Sequence, residues 1–584
     1  MVGVESEMND TDGVFWCDEC NVPILSNICG KCGSIGRFCS SDFKPVFEAE
    51  RVLFEKSLEL ELPTEILRSG NRILLDGKTL YRFKVDFAKH GITSIEPVKE
   101  IEKRIAAHER TPSFMRRTLK ANENYLRKKE RTAVSLVKEI AAKYSDRFPV
   151  IFFAGGKDSS AVSILVKKAL RGVPLFFADT TLEYPETYSF VADFSKHCGF
   201  KLIKDGNDFY KSPCNFFDLC RKLGPPSIYS RWCCSAFKSY PVNKYYGEIR
   251  EDVLAFLGIR KRESARRRKY GTLSVSKKLS KQLSVFPIVE WKEADVWFFL
   301  LQKEVPINAL YVHGFSRIGC WPCPTGSFSY ILRSTVHPEL HKKLDGMLSS
   351  YAGGHGKDRQ WIEQNIWRLR RPKKKRIVLR PTSVERKNGH YVLAYRSRLF
   401  TPYIAEFLKP LGDFERNDGN FSLNSGSLLI SGSGRQLLLT CGTNNFSEAK
   451  TAFEKQLTKA VSCVSCGGCF GACPEGAIEF QNGRFSIDDS RCTRCAKCVK
   501  SECVALEFGE RTVRVRADPY AMTRCIEGLP MHHLVFPDLK LWKRAVEVLT
   551  IKDLNFEAHR DGRIVCVPKG SMKEIERILR RSWH

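Results

Sequence analysis

The stretch FPVIFFAGGKDSSAVSILVKKAL, residues 148–170, decides how this chain is read. A short apolar run, FPVIF, meets two glycines, and apolar residues then recur at helical spacing through SAVSILVKKAL. In a strand–turn–helix of this kind, backbone N–H groups at the helix N-terminus receive anionic oxygens. Gly155 and Gly156 permit the turn, and Lys157 adds a point charge beside Asp158. Ser159 and Ser160 carry hydroxyls able to donate to the same oxygens. A phosphate is therefore expected on Gly155–Ser160. The loop alone leaves open whether it splits ATP or holds a nucleotide whose reactive group is something else, such as a sulfate.

The same rhythm continues outward. Between residues 148 and 345 strand-like PVIFFAGG, VPLFFADTT, KLIKD and DVLAFLGIR alternate with helical SAVSILVKKAL and PETYSFVADFSKH. This predicts an α/β domain with a doubly wound parallel sheet, its ligand at the carboxyl ends of the strands. With 584 residues the chain is too long for one core. The expected organisation is a ribbon over 1–45, a small α+β module with a charged helical lead-in over 46–147, and the core over 148–345. A basic segment and small α/β module follow over 346–455, then a cysteine-rich domain over 456–510 and a C-terminal α/β module over 511–584.

Composition narrows the class. Hydrophobic residues make up 43% of the chain, and no run of eighteen apolar residues occurs. The polar, acidic start MVGVESEMNDTDG does not read as a secretory signal, so a cytoplasmic protein without a membrane span is expected. The formal net charge of +29 suits an anionic partner: nucleic acid, a nucleotide or an acidic electron donor. A generally basic surface explains it equally. WRLRRPKKKRIVLR, residues 367–380, is either a solvated basic linker or an RNA-contacting strip.

The 23 cysteines argue for metal rather than disulfides in a reducing compartment. Cys17, Cys20, Cys29 and Cys32 form two CxxC knuckles able to close a tetrahedral four-thiolate site. Zinc is the expected ion and rubredoxin-like iron the rival, and a closed site leaves no catalytic position. Cys463, Cys466, Cys469 and Cys473 stand in CxxCxxCxxxCP spacing, and Cys492, Cys495, Cys498 and Cys503 nearly repeat it. This segment resembles a two-cluster bacterial ferredoxin. The resemblance implies one [4Fe–4S] cluster on Cys463, Cys466, Cys469 and Cys503, and another on Cys492, Cys495, Cys498 and Cys473. The second motif has one more residue before its last cysteine and lacks the proline. Cys39, Cys198, Cys214, Cys220, Cys441, Cys525 and Cys566 are scattered and read as inert thiols.

Six segments in order carry a further resemblance. They are GGKDSS (155–160); FADTTLEYPET with Asp179, Thr180 and Tyr184–Thr187; and RWCCSAFKSYPV with Cys233, Cys234 and Lys238. GIRKRESARR follows with Gly258, Arg260, Glu263, Ser264 and Arg267, then FPIVEWKEADVW with Pro287, Trp291, Asp295 and Trp297, and RIGCWPCP with Cys320 and Cys323. Residues 150–330 thus resemble the adenylylsulfate/phosphoadenylylsulfate reductase family of the PP-loop superfamily. The flanking ribbon and ferredoxin module look like its archaeal, multidomain members. The resemblance implies nucleotide contacts from Gly155, Gly156, Lys157, Asp158, Ser159, Ser160, Asp179, Thr180, Glu186, Lys238, Gly258, Arg260, Ser264 and Arg267. Lys157, Arg260 and Arg267 are then the catalytic cations, both arginines being suited to clamp a sulfate or phosphate bidentately. It also implies a third [4Fe–4S] cluster on Cys233, Cys234, Cys320 and Cys323, beside the substrate.

The expected activity is reduction of adenylylsulfate or its 3′-phosphate to sulfite, with electrons from a low-potential donor entering through the ferredoxin module. Two departures stand out. The C-terminal Glu-Cys-Gly-Leu/Ile-His motif of thioredoxin-dependent members is missing, and Cys525 and Cys566 are stand-ins by position only. GGKDS is intact although Ala154 replaces the usual leading serine, which keeps ATP chemistry open. The alternative is therefore an ATP-dependent sulfur transferase acting on tRNA or another substrate, with RNA as a partner of the basic segments. A non-catalytic nucleotide or redox sensor is the third class.

Overall fold

The computed structural model describes residues 13–371, 381–508, 531–535, 557–558 and 564–568. Within these spans 87–90, 95–97, 109–112, 205–213, 277, 280, 397–400, 418–419, 427, 435, 443, 445, 482–483 and 502 are left out. The acidic N-terminus, residues 372–380 of the basic run, Cys525 and nearly all of 511–584 lie outside the described residues. Among the described residues no helix is long and apolar enough to cross a membrane. The chain divides into two compact units, residues 1–372 with 466–476, and residues 373–465 with 477–584.

The first unit opens with a three-stranded antiparallel ribbon: β1 (Val14–Cys17), β2 (Val22–Ile24) and β3 (Arg37–Ser40), in the order β2-β1-β3. The stretch read as a small α+β module is a five-stranded sheet with one helix against it. Its elements are β4 (Lys44–Pro45), α1 (Glu48–Leu58), β5 (Leu67–Ser69), β6 (Arg72–Leu75), β7 (Lys78–Asp86) and β8 (Gly91–Ser94). The charged lead-in is two helices, α2 (Val98–Ala106) and the 30-residue α3 (Phe114–Lys143).

α3 buries Thr118, Ala121, Asn122, Leu126, Glu130, Ala133, Val137 and Ile140, which recur at helical spacing along one face. Asn122 is one of the polar members, and both ends of its amide are bonded. Its Oδ1 accepts from Leu25 N at 2.7 Å, while Nδ2 donates to Pro23 O at 2.9 Å and Thr118 O at 2.8 Å. With Gly30 N, which donates to Ala121 O at 3.1 Å, and Arg117 Nη2, which donates to Asn21 O at 3.3 Å, it ties the ribbon to the helix.

The core is the doubly wound domain. β9 (Phe148–Phe152), α4 (Lys157–Ala169), β10 (Leu175–Phe177), α5 (Pro185–His197) and β11 (Leu202–Lys204) come first. The helices α6 (Phe216–Leu223), α7 (Trp232–Cys234) and α8 (Tyr240–Glu248) precede β12 (Val253–Phe256), β13 (Leu273–Val275), β14 (Gln282–Val285) and α9 (Glu293–Gln302). The strand order is β11-β10-β9-β12-β14-β13, parallel except for the edge strand β13. Val150 and Ile151 of β9 and Ala161, Val162, Leu165 and Val166 of α4 are all fully buried. Phe153 stacks on Phe194 of α5 at 4.9 Å. The sheet departs from β9 toward β10 on one side and toward β12 on the other. Its crevice therefore opens at the carboxyl ends of β9 and β12.

The unit closes with α10 (Ala309–Val312), α11 (Ser327–Val336), α12 (Pro338–Gly354) and α13 (Arg359–Glu363). Trp367, at the head of the basic run, is 1% exposed, so it is a core residue rather than a platform for bases. Arg368 Nε donates to Pro324 O at 2.6 Å, and Arg370 donates to Pro225 O from Nη2 at 2.7 Å. These two cations bind the chain's own carbonyls. The described part of the run is structural.

The second unit is built on an antiparallel sheet of order β15-β16-β20-β19-β18-β17. Its strands are β15 (Ser383–Lys387), β16 (His390–Arg396), β17 (Asp413–Asn417), β18 (Asn420–Asn424), β19 (Leu428–Ser433) and β20 (Gln436–Gly442). Helices α14 (Thr401–Leu408) and α15 (Phe446–Ser462) belong to it, the latter at the amphipathic FSEAKTAFEKQLTKAV. A hairpin, β21 (Ile478–Gln481) and β22 (Arg484–Ile487), lies between the two cysteine motifs.

Asn122→Ala leaves the Leu25 N–H and Pro23 carbonyl without their partner. It is expected to lower stability by about 1–3 kcal/mol in denaturant unfolding. An unchanged midpoint would show that the ribbon does not depend on this bridge.

Candidate functional site

At the carboxyl end of β9 the chain turns through Gly155, whose φ of +69° belongs to the left-handed region. A Cβ there would lie 2.7 Å from Thr187 Cγ2, so loop and α5 meet too closely for any side chain. Asn308 Nδ2 donates to Gly155 O at 3.1 Å and to Thr187 Oγ1 at 3.3 Å, fixing the turn from a third segment. Gly156 is the N-cap of α4 and brings no side chain to the first-turn N–H groups. Ser159 and Ser160 turn their hydroxyls back onto the Gly156 carbonyl, at 2.8 and 3.1 Å. In this structure they shape the loop.

Lys157 and Asp158 form the centre of a charged cluster. Lys157 is 6% exposed; its Nζ lies 3.1 Å from Asp158 Oδ2 and 3.3 Å from Glu293 Oε1. Its backbone N–H donates to the Tyr311 hydroxyl at 2.9 Å. Asp158 Oδ1 takes the Arg260 Nε at 2.5 Å. Burial alone would push the Asp158 carboxyl up, but Lys157 and Arg260 outweigh it and hold it down at about 2. Burial likewise works against charge on Lys157, and the carboxylates of Asp158 and Glu293 hold its pKa above the usual lysine range. Arg260 reaches Asp158 because Gly258 lets the β12 loop lie on the start of α4. A Cβ on Gly258 would meet the Asp158 carbonyl carbon at 2.5 Å and Ser159 N at 2.7 Å.

The other predicted residues are spread along the same edge. Asp179 Oδ1 accepts from Thr181 N and from the Tyr188 hydroxyl, each at 2.7 Å. Glu186, in the first turn of α5, pairs with His337 Nε2 at 2.9 Å. On the β12 loop Ser264 is exposed and Arg267 half-buried. Arg267 is paired with Glu263, whose Oε1 also accepts from Arg260 N at 2.9 Å. Arg260 thus belongs to the buried cluster and Arg267 to the rim.

Thr180 turns toward the cysteines. Its hydroxyl donates to Glu183 Oε1 at 2.9 Å and lies 3.4 Å from Cys320 Sγ, while Trp321 N donates to Leu182 O at 2.8 Å. Cys233 and Cys234 sit on the short α7, followed by a π-turn over Ser235–Ser239 that carries Lys238. The sulfur of Cys320, with Glu183, Cys234 and Cys323 behind it, holds the Lys238 ammonium above its ordinary pKa. A bond from the Cys233 thiol, and then the charges of Lys238, Arg231 and Lys278, pull Cys234 down to about 6 against its burial. Cys233 moves the opposite way, raised by the Cys234 bond and by burial. Four half-buried thiols and a set of cations therefore converge within a few residues of Thr180.

Among the described residues, Cys17, Cys20, Cys29 and Cys32 are the group whose ligand atoms all lie within 4.8 Å of one another. That set can hold a single metal ion, and the Cys20 N–H donates to Cys17 Sγ at 3.4 Å. The Cys233, Cys234, Cys320 and Cys323 sulfurs do not draw together to that degree. One ion needs converging ligands, whereas a multi-iron cluster takes each thiolate on a different iron, so this set of four thiols fits a cluster by donor chemistry.

Cys466, Cys469 and Cys473 lie on the segment 466–476, which packs against α8. Phe470 meets the Tyr240 ring edge-on at 5.1 Å, and a Cβ on Gly467 would be 2.6 Å from that ring. Gly471 packs closely on Asn243 Nδ2, which donates to Ser239 O and Lys278 O, each at 2.9 Å. In the second unit, burial pushes the Cys503 thiol up, with Cys463 near enough to add to it. There too Lys459 Nζ donates to Cys498 O at 2.6 Å, and Cys492 N donates to Asp488 O at 3.0 Å. Cys495 is exposed.

Sequence reading did not single out Glu293, Tyr311, Asn308 or Glu183. Glu293 stands inside the quoted FPIVEWKEADVW. Glu183 likewise stands inside the quoted FADTTLEYPET, whereas Asn308 and Tyr311 sit in a segment whose relation to the loop only the fold reveals.

Two outcomes follow from the charged cluster. Asp158→Asn is expected to destabilise the protein, because it leaves Lys157 and Arg260 short of a buried partner. A carboxyl held near 2 contributes stability that is fully present above its unfolded value of about 3.9. In pH-dependent unfolding, the gap between wild type and variant should therefore hold down to about pH 4 and shrink from there toward pH 2. A gap that already closes between pH 7 and pH 5 would contradict the pairing.

Comparison with known proteins agrees with this geometry. Residues 148–326 match the family model described as "Phosphoadenosine phosphosulfate reductase domain". An uncharacterized protein of Methanocaldococcus jannaschii is 36% identical over 256 residues, covering 43% of this chain and 51% of its own length. A sulfate adenylyltransferase subunit 2 of Methylobacterium nodulans is 27% identical, covering 32% of this chain and 65% of its own. An adenosine 5′-phosphosulfate reductase of Geobacillus kaustophilus is 26% identical, covering 27% and 65% respectively. The chain thus spans about half to two thirds of the relatives it matches. Residues 148–326, which hold the Gly155–Ser160 loop at the carboxyl end of β9 and Arg260 beyond β12, are thus similar to the phosphoadenosine phosphosulfate reductase domain.

Proposed function

We propose that this chain is an iron–sulfur sulfonucleotide reductase, reducing adenylylsulfate or its 3′-phosphorylated form to sulfite and the nucleotide. The observation that carries the reading is the Thr180 hydroxyl, which touches Cys320 Sγ at 3.4 Å and so joins the strand-end loop to the four cysteines. The phosphate groups bind at the Gly155–Lys157 turn and the α4 N-terminus, with Arg260 supporting the loop through Asp158 and Arg267 at the rim. The sulfate end then faces Thr180 and Lys238. Lys238 lies among Cys320, Glu183, Cys234 and Cys323, and so offers positive charge where sulfate oxygens would be held.

In the reaction two electrons break the bond between sulfur and the bridging oxygen. Sulfur leaves as sulfite, reduced from the +6 to the +4 state, and the bridging oxygen stays with the nucleotide phosphate. The electrons come from a low-potential donor through the ferredoxin-like cysteines. A [4Fe–4S] cluster on Cys233, Cys234, Cys320 and Cys323 would add a polarising charge beside the sulfate. Support for an internal electron route comes from the segment 466–476, seated on α8 directly after the π-turn that follows Cys234. The ribbon Cys17, Cys20, Cys29 and Cys32 is read as a structural zinc site.

The second reading is an ATP-dependent sulfur transferase, with RNA among its acceptors. The intact GGKDS loop and the matched sulfate adenylyltransferase subunit 2 favour it, and the net charge of +29 suits a nucleic acid.

Cluster-loaded protein, kept anaerobic with a low-potential reductant, separates the two. Sulfite from adenylylsulfate or its 3′-phosphate, with no ATP turnover, is the expected result. Pyrophosphate from ATP without sulfite, above all if RNA stimulates it, would overturn the reductase reading. Cys320→Ser is further expected to remove about a third of the bound iron and to lower sulfite formation at least about tenfold. Unchanged iron would exclude this cysteine as a ligand.

A further inference from the structure

The ribbon is joined to the phosphate loop by a short relay. Asp42, two residues beyond β3, places its carboxylate at the start of α9. Its Oδ2 accepts from Glu293 N at 2.7 Å, and its Oδ1 from Ala294 N at 3.0 Å and Phe43 N at 2.9 Å. α9 has no side-chain cap on its first-turn N–H groups from its own N-cap residue, Lys292. The Lys292 ammonium instead donates to Gly13 O and Leu25 O of the ribbon, each at 2.8 Å. The first turn of α9 is therefore gripped by the ribbon on both sides. From that turn Glu293 extends to Lys157 Nζ at 3.3 Å. Phe43 and Phe47 add packing against Phe298 and Trp297 of the same helix, at 5.6 and 5.2 Å.

We propose that Asp42 is a positioning residue for the phosphate loop, acting through the α9 N-terminus and Glu293 to hold Lys157 in its nucleotide-binding place. The physical argument is a cap argument. The first four N–H groups of a helix lack intrahelical partners, Asp42 takes two of them, and a carboxylate there is favoured by hydrogen bonding and by the helix dipole together. Remove it and the first turn frays, Glu293 no longer faces Lys157, and the ammonium turns wholly to Asp158. The ribbon, closed and without an open coordination position, then serves the site mechanically. This inference rests on the reading that adenine nucleotides bind the Gly155–Ser160 loop.

A double-mutant cycle on the full chain tests it, with affinity for adenylylsulfate and for ATP as the readout and ribbon metal content measured alongside. Asp42→Ala and Glu293→Gln are each expected to weaken nucleotide binding about five- to tenfold. The double variant should be no weaker than either single one, because both act on one relay. Asp42→Asn, which keeps one acceptor, should recover part of the loss. A double-variant loss equal to the product of the two single losses, about twenty-five-fold or more, or an Asp42→Ala affinity equal to wild type, would overturn the relay. Wild-type protein that binds neither nucleotide would overturn the loop reading itself, and the relay with it.

Discussion

The Asp158 carboxylate is the point on which the core domain turns. It accepts from Arg260 on the β12 side of the crevice and from Lys157 on its own helix, in a place where neither cation meets much water. A buried charge is tolerated only when it is paired and bonded, and breaking such a pair costs about 3–5 kcal/mol. The arrangement therefore does more than neutralise. It fixes the distance between the β9 and β12 loops, and with it the width of the crevice. Gly258 is required by the same contact, because the two backbones must come together before Arg260 can reach.

Around this point each unusual residue has a partner drawn from far along the chain. Asn308 bonds the Gly155 carbonyl, Tyr311 receives the Lys157 N–H, and Glu293 takes the second side of the Lys157 ammonium. Along the same edge Thr180 passes from the strand-end loop to Cys320, so the strand-end loop and the cysteine side share one wall. Lys157 is thus not a bare cation waiting for phosphate. Its charge is balanced in advance, within a loop whose geometry is already set.

Much of this was legible in the sequence for a plain reason. FPVIF and SAVSILVKKAL announce their periods locally, and the glycines mark the turn between them, so the strand–loop–helix needed no tertiary information. Cysteine spacing also survives folding, because CxxC is a local geometry; the ribbon set closes as its two knuckles suggest. Side-chain partners behaved differently. Ser159 and Ser160 read as phosphate donors from composition, yet their hydroxyls return to Gly156 O, since a serine in the first turn of a helix has a carbonyl within reach. Arg368 and Arg370 read as part of a basic run, but they bond carbonyls at Pro324, Pro225 and Leu223 that lie close only after folding. Asp42 belongs to no motif, and Glu293, although inside FPIVEWKEADVW, is not one of its marked positions; their meaning lies in being neighbours.

The π-turn at Ser235–Ser239 has a consequence for how such a centre changes over generations. It accommodates one more residue per turn than the helix it leads into, between the Cys233–Cys234 pair and the Tyr240 face that receives the segment 466–476. Losing a single residue there would restore ordinary helix and rotate the cysteine pair by about 100° relative to that face. No point substitution moves both sulfurs together in that way. A change of length within these five residues would thus re-aim both sulfurs at once, a small step in length with a large step in direction.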